Sequence, residues 1–181
     1  MILMVTREII EKNDPGAYQI LSDPELGGHE AASGPHSRFT NLRVPGENLL
    51  AAPGKGAKLI EQTFGASAAI VGAMSVSIMR AAFEAALEFA KTETRGGSVP
   101  IIERQSVADL LIGIKMRTET SRLLTWKALH CLENGPGDVS ARLELCLEAK
   151  IFCSDSAVQC CVDAMKLVGM SVLIGASVML Y

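Results

Sequence analysis

From residue 57 onward the apolar positions recur at three- and four-residue spacings. Leu59, Ile60, Phe64, Ile70, Val71, Met74, Ile78, Phe83 and Phe89 follow this rhythm, and Glu84, Glu88 and Lys91 stand opposite. The pattern predicts one long helix over 57–92, with a break near Gly65. Thr92 to Pro100, which contains Arg95-Gly96-Gly97, reads as a loop, and a second helix opens at Pro100 or Glu103 and runs to about Glu133. Asn134-Gly135-Pro136-Gly137 is the strongest punctuation in the chain. A third helix is expected from Val139 to about Val168, with Gly169 as its C-cap. Three long helices with short connections predict antiparallel neighbours in an up-down bundle whose fourth member is incomplete.

The first fifty residues follow another pattern. Turn clusters, Asn13-Asp14-Pro15-Gly16, Ser22-Asp23-Pro24, Gly27-Gly28, Ser33-Gly34-Pro35 and Val44-Pro45-Gly46, separate short extended runs at 17–21 and 38–44. So few strands cannot close a sheet, so this part reads as the end of a β domain whose other strands lie elsewhere. The expected organisation is mainly α: the end of a small β domain over 1–52, a helical bundle over 53–173, and a divergent apolar tail over 174–181.

Composition sharpens this. Of the 181 residues 49% are hydrophobic but only 4% aromatic, a balance that suits packed helices better than a sandwich. So much apolar sequence in a chain of this length implies that some of it is meant for a partner surface. A net charge of -3 and a pI near 5.6 leave no basic excess for a phosphate-binding face, so nucleic acid is not the expected partner. The five cysteines are odd in number and sit in helical sequence, which points to an intracellular, reducing compartment. Cys146, Cys153 and Cys160 recur every seven residues and read as small buried side chains on one helix face. Met1 to Val5 is too short for a signal segment. The uncharged run from Leu167 to Tyr181 falls short of the roughly twenty residues that span a bilayer, so no membrane anchor is expected.

Candidate chemistry is sparse. His29, His36 and His130 are scattered without metal-ligand spacing, and Gly54-Lys55-Gly56 lacks the phosphate-loop pattern and reads as a turn and cap. Arg95-Gly96-Gly97 followed by Glu103-Arg104-Gln105 admits two readings. Two arginines and a glutamine around a Gly-rich connection suit a diphosphate and a base edge; the alternative is a solvated loop with an ion pair to Glu93 or Glu103. Ser67 by itself is an ordinary helix serine.

The run Arg43-Val44-Pro45 to Leu49-Leu50, then Gly54-Lys55-Gly56, the Ala-rich helix ending Ala86-Leu87-Glu88-Phe89-Ala90-Lys91, Glu103-Arg104-Gln105, and Cys153-Ser154-Asp155-Ser156 to Val162-Asp163-Ala164 together resemble the acyl-CoA dehydrogenase superfamily. Within it, Val71-Gly72-Ala73-Met74, Met79-Arg80-Ala81-Ala82-Phe83, Arg95-Gly96-Gly97 and Glu133-Asn134-Gly135-Pro136-Gly137-Asp138 are similar to the nitroalkane oxidase branch.

The resemblance implies an FAD-dependent oxidoreductase subunit, assembled as a dimer or tetramer, with a middle β domain and a C-terminal four-helix domain. This chain would carry the end of the first and most of the second. Arg95, Arg104 and Gln105 match positions that reach the FAD diphosphate and adenosine, and Val162, Asp163, Ala164, Met165 and Lys166 match a second FAD-contacting stretch. Ser67 matches an active-site serine near the catalytic carboxylate and flavin. Ser67-Ala68 and Arg95-Gly96-Gly97 depart from the acyl-CoA dehydrogenase pattern, which favours a nitroalkane over an acyl-CoA substrate. The family's proton-abstracting Asp or Glu lies beyond the point, near Leu173, where the chain leaves the pattern, so the chain is expected to be a catalytically incomplete fragment.

Overall fold

Three helices carry most of the chain in the computed structural model, which describes residues 1–25 and 34–169. The Gly27-Gly28 turn, His29, Ser33 and the tail 174–181 lie outside the described residues. Helix α2 (Gly56–Thr92), α3 (Gln105–Asn134) and α4 (Val139–Val168) follow a short α1 (Arg7–Glu11) and four strands, β1 (Ile2–Leu3), β2 (Tyr18–Ser22), β3 (His36–Phe39) and β4 (Leu49–Ala51). The chain separates into two compact units, 1–60 and 61–181.

In the second unit the expected helices form, with one correction. Helix α2 runs unbroken through Gly65. Gly65 is a point of close approach rather than a break: a Cβ placed there would lie 3.0 Å from Leu143 Cδ1 on α4. Gly72, two turns on, does the same service against Thr125 of α3 and Cys153 of α4, where a Cβ would come within 3.1 Å of Thr125 Oγ1. Before α3 the chain makes a 3₁₀ turn over Ile101–Glu103, and Arg104 is the N-cap. The Asp138 side chain accepts from Ala141 N at 2.9 Å to start α4, and Gly169 ends it at φ +62°, the positive φ that glycine adopts freely.

Between α3 and α4 the seam is built from small side chains. Cys146, Cys153 and Cys160 are fully buried, and each thiol reaches a carbonyl of α3: Ala128 O at 3.7 Å, Ser121 O at 3.6 Å and Ile114 O at 3.9 Å. Those acceptors are also seven residues apart, so the two helices run antiparallel with matched periods. Burial pushes the Cys146 and Cys160 thiols up, which keeps them protonated and able to donate. The larger core cluster gathers Met79, Ala86 and Ala90 of α2 with Ile114 of α3 and Ala157, Cys160 and Ala164 of α4. Helix α2 is also long and apolar enough, by length and composition, to cross a membrane, yet only 33% of that window is buried.

The first unit holds two strand pairs, both antiparallel: β1 with β4, and β2 with β3 through Tyr18↔Phe39, Gln19↔Arg38 and Ile20↔Ser37. The extended run expected over 38–44 begins earlier, at His36, and stops at Phe39. Thr40 N turns to Ala17 O at 3.0 Å, and Asn41 adopts φ +53°. Beyond it the Asn13 side chain clips the backbone, accepting from Arg43 N at 2.8 Å and donating to Arg43 O at 2.9 Å. Helix α1 and β1 escaped the sequence reading because five and two residues are too short to show a period.

Candidate functional site

Helix α2 shows two faces. One packs on α3 and α4. On the other, Phe64, Val71, Met74 and Ile78 form a stripe at coiled-coil spacing, exposed by 71%, 38%, 43% and 52%. Ser67 falls in the gap of that stripe and is its one polar side chain. It is half-buried, and its hydroxyl donates to Phe64 O at 3.2 Å, a back-bond within the helix that leaves the oxygen free to accept and the proton able to rotate toward a ligand. A serine alone on an open apolar face is a positioned hydrogen-bonding group waiting for a non-aqueous neighbour.

At the far end of α2 the loop over 93–104 meets the end of α4. Arg95 sits at φ +52° and Gly96 at +73°, a tight reversal stabilised by Arg95 N donating to Glu93 Oε1 at 2.7 Å. Its guanidinium lies 5.3 Å over the Phe89 ring and donates to Val168 O, one of the carbonyls left open where α4 ends. Arg95 therefore ties the loop to α4. Arg104 makes a long 3.4 Å bond to Thr94 O and is the N-cap of α3, whose first turn receives no side-chain cap while Val107 N already donates to Arg104 O at 3.0 Å. Gln105 donates to Asp109 on its own helix at 2.7 Å. The three predicted residues thus share one end of the helical unit, with Arg95 already engaged inside the fold.

The stretch Val162 to Lys166 divides in the same way. Asp163 and Ala164 are buried, Val162 is half-buried, and Met165 and Lys166 are exposed. Asp163 Oδ2 accepts from Arg117 at 3.0 Å, and Oδ1 accepts from Gln159 at 2.9 Å and Lys166 at 3.1 Å. Burial alone would raise this carboxyl. The bonds from Lys166 and Gln159, and the charges of Lys166 and Arg117, outweigh it and hold Asp163 below the usual aspartate range. Asp163 is thereby committed to the α3–α4 contact, while Met165 and Lys166 present an open edge. Arg117, 46 residues away in the chain, carried no sequence signal. It also lines an open groove of about 510 Å³ with Glu148, Ile151, Phe152, Asp155 and Gln159.

An antiparallel bundle with a polar hydroxyl on an open apolar face, and an arginine-rich loop at one end, defines the class. Residues 54–178 match the family described as acyl-CoA dehydrogenase, C-terminal domain, and the chain belongs to that family. Its relatives are FAD flavoproteins. It is 56% identical over 170 residues to a nitroalkane oxidase of Fusarium oxysporum, an alignment that covers 93% of this chain and 39% of that protein. The solved nitroalkane oxidase of Podospora anserina superposes with a TM-score of 0.90 at 53% identity, over 96% of this chain and 41% of that one. A further nitroalkane oxidase structure, an active-site serine-to-alanine mutant crystallized with 1-nitrohexane, has a TM-score of 0.88 at 55% identity, over 94% of this chain and 40% of that one. The chain thus spans about 40% of the length of these relatives.

Proposed function

We propose that this chain forms the C-terminal helical part of an FAD-dependent oxidoreductase subunit that oxidises small nitroalkanes. The observation that carries this is Ser67: a lone hydroxyl in the exposed Phe64–Ile78 stripe, in a chain similar to an enzyme whose active site contains a serine. Its role is to hydrogen-bond beside the carboxylate that removes the proton α to the nitro group, a carboxylate that family resemblance puts outside the matching residues. The apolar stripe suits an alkyl chain and excludes water from it.

The loop end fits the cofactor's diphosphate. Arg104, at the N-terminus of α3 where no side chain caps the helix, and Lys166 on the exposed edge of α4 offer the cationic donors that an anion needs. When bound, the flavin supplies the electron acceptor. Arg95 supports this wall by holding the loop against α4, and Gln105 would turn from Asp109 to a base edge. The intact subunit acts as a homo-oligomer in a reducing compartment, without nucleic acid or membrane.

Two measurements test the reading. In a subunit carrying the remaining domains, Ser67→Ala should lower 1-nitrohexane turnover by about tenfold to a hundredfold and leave the circular dichroism unchanged. Unaltered turnover removes Ser67 from the site. FAD titrated into the 181-residue chain should bind weakly, and more weakly still after Arg104→Ala; equal binding by both chains overturns the loop assignment.

A further inference from the structure

A cation that serves an anionic ligand has to be free to turn toward it, and Lys166 starts out engaged. Its ammonium bonds Asp163 Oδ1 at 3.1 Å, so meeting the diphosphate means letting that oxygen go. The Asp163 side chain is only 9% exposed, and a carboxylate so enclosed is costly to leave without a charged partner. A lysine that is the one cation on such a group stays with it.

Arg117 changes that balance. Its Nη1 donates to Asp163 Oδ2 at 3.0 Å, the oxygen that Lys166 does not use, and Gln159 donates to Oδ1 at 2.9 Å. When Lys166 leaves, each oxygen therefore keeps a donor and the carboxylate keeps a cation. Among the described residues Arg117 and Lys166 are the two cations paired with Asp163. Of these, Lys166 is the more exposed, 59% against 39%, and its bond spans one turn of its own helix, the weaker kind of pair. The arginine is placed to stay. A Cβ at Gly113 would lie 3.5 Å from Arg117 Nη1, so the guanidinium runs back one turn over a bare stretch of α3, toward the end where Arg104 stands.

We propose that Arg117 is a positioning residue for the cofactor: by holding Asp163 it releases Lys166 to the diphosphate of FAD. This rests on the flavin reading above, but the charge balance it requires belongs to the chain without flavin.

The first measurement accordingly needs no cofactor. Acetylation of the 181-residue chain with an N-hydroxysuccinimide ester, followed by peptide mass spectrometry, gives the rate at Lys166 relative to Lys150, an exposed lysine of the same helix. Arg117→Met should slow Lys166 by about threefold or more, because its ammonium becomes the sole countercharge of a carboxylate. In a chain that also carries Asp163→Asn the slowing should disappear. An unchanged rate in Arg117→Met overturns the proposal whatever flavin does. FAD titration of the same chains supplies the second measurement. Lys166→Met and Arg117→Met should each weaken binding by about threefold to tenfold, and the double variant should match Lys166→Met alone, since Arg117 acts through that lysine. Losses that multiply overturn the proposal, because Arg117 then acts by its own charge. If acetylation responds as expected but Lys166→Met leaves FAD affinity unchanged, Lys166 stands outside the flavin wall, and the flavin reading of this edge fails together with this use of Arg117. Helical circular dichroism reports that each variant folds.

Discussion

Asp163 shows how far a single residue's role depends on what it faces. Family resemblance places it among cofactor contacts, but its two oxygens are occupied by Arg117, Gln159 and Lys166. A carboxyl held below its unfolded value contributes stability that is present above that unfolded value and is lost as pH falls through the lower, folded one. The chain's acid limb should therefore contain an Asp163 component that Asp163→Asn lacks. At neutral pH that substitution should cost about 1–2 kcal/mol, the upper part of the range for a charged hydrogen bond being discounted because Lys166 and Arg117 are partly exposed. Urea titrations of both chains at several pH values read both effects. If the midpoints of the two chains fall in parallel with acid, the clamp is not what the geometry indicates. Arg95 makes a similar point: its side chain was legible as a cation near a glycine pair, but its bond to Val168 O depends on how α4 ends, which no local pattern reports.

At the level of elements the three long helices were legible because each repeats its apolar rhythm over many turns, and because Asp138 and Gly169 mark α4 at both ends. What the sequence hid was the meaning of glycine within a helix. Gly65 looks like a break on propensity, but packing wins, since the backbone of α2 has to approach Leu143 more closely than a Cβ allows. Gly72→Ala should accordingly destabilise despite alanine's better helix propensity, by about 1–3 kcal/mol from overpacking against Thr125 and Cys153. A rise in thermal midpoint would contradict the close contact. The same competition shortened the second strand: alternation favoured 38–44, but the Asn13 clip captured Arg43. Ser67 could be named only by resemblance. Its setting, one hydroxyl within an apolar stripe, becomes visible once it is clear which side of α2 is buried.

Considered whole, the chain spans about 40% of its relatives and leaves apolar faces open on all three long helices: Phe64 and Met74 on α2, Met116 and Trp126 on α3, Ile151 and Val158 on α4. The chain should therefore enhance the fluorescence of an apolar dye strongly while retaining cooperative unfolding, and Phe64→Ser should reduce the signal. A native chain that leaves the dye dark would mean that these faces are covered. The cysteine ladder bears on the same scale through register. Three thiols and three carbonyls spaced by seven would nearly match again if α4 slid one heptad along α3, since two of the three pairs would re-form. Asp163 forbids it: the slide would take its carboxylate from Arg117 to the level of Leu110 or Leu124, and would carry Val168 about 10 Å from Arg95 at 1.5 Å per residue. One ion pair thus fixes which of several equivalent alignments the helices adopt, and with it whether the loop and the end of α4 arrive at the same place.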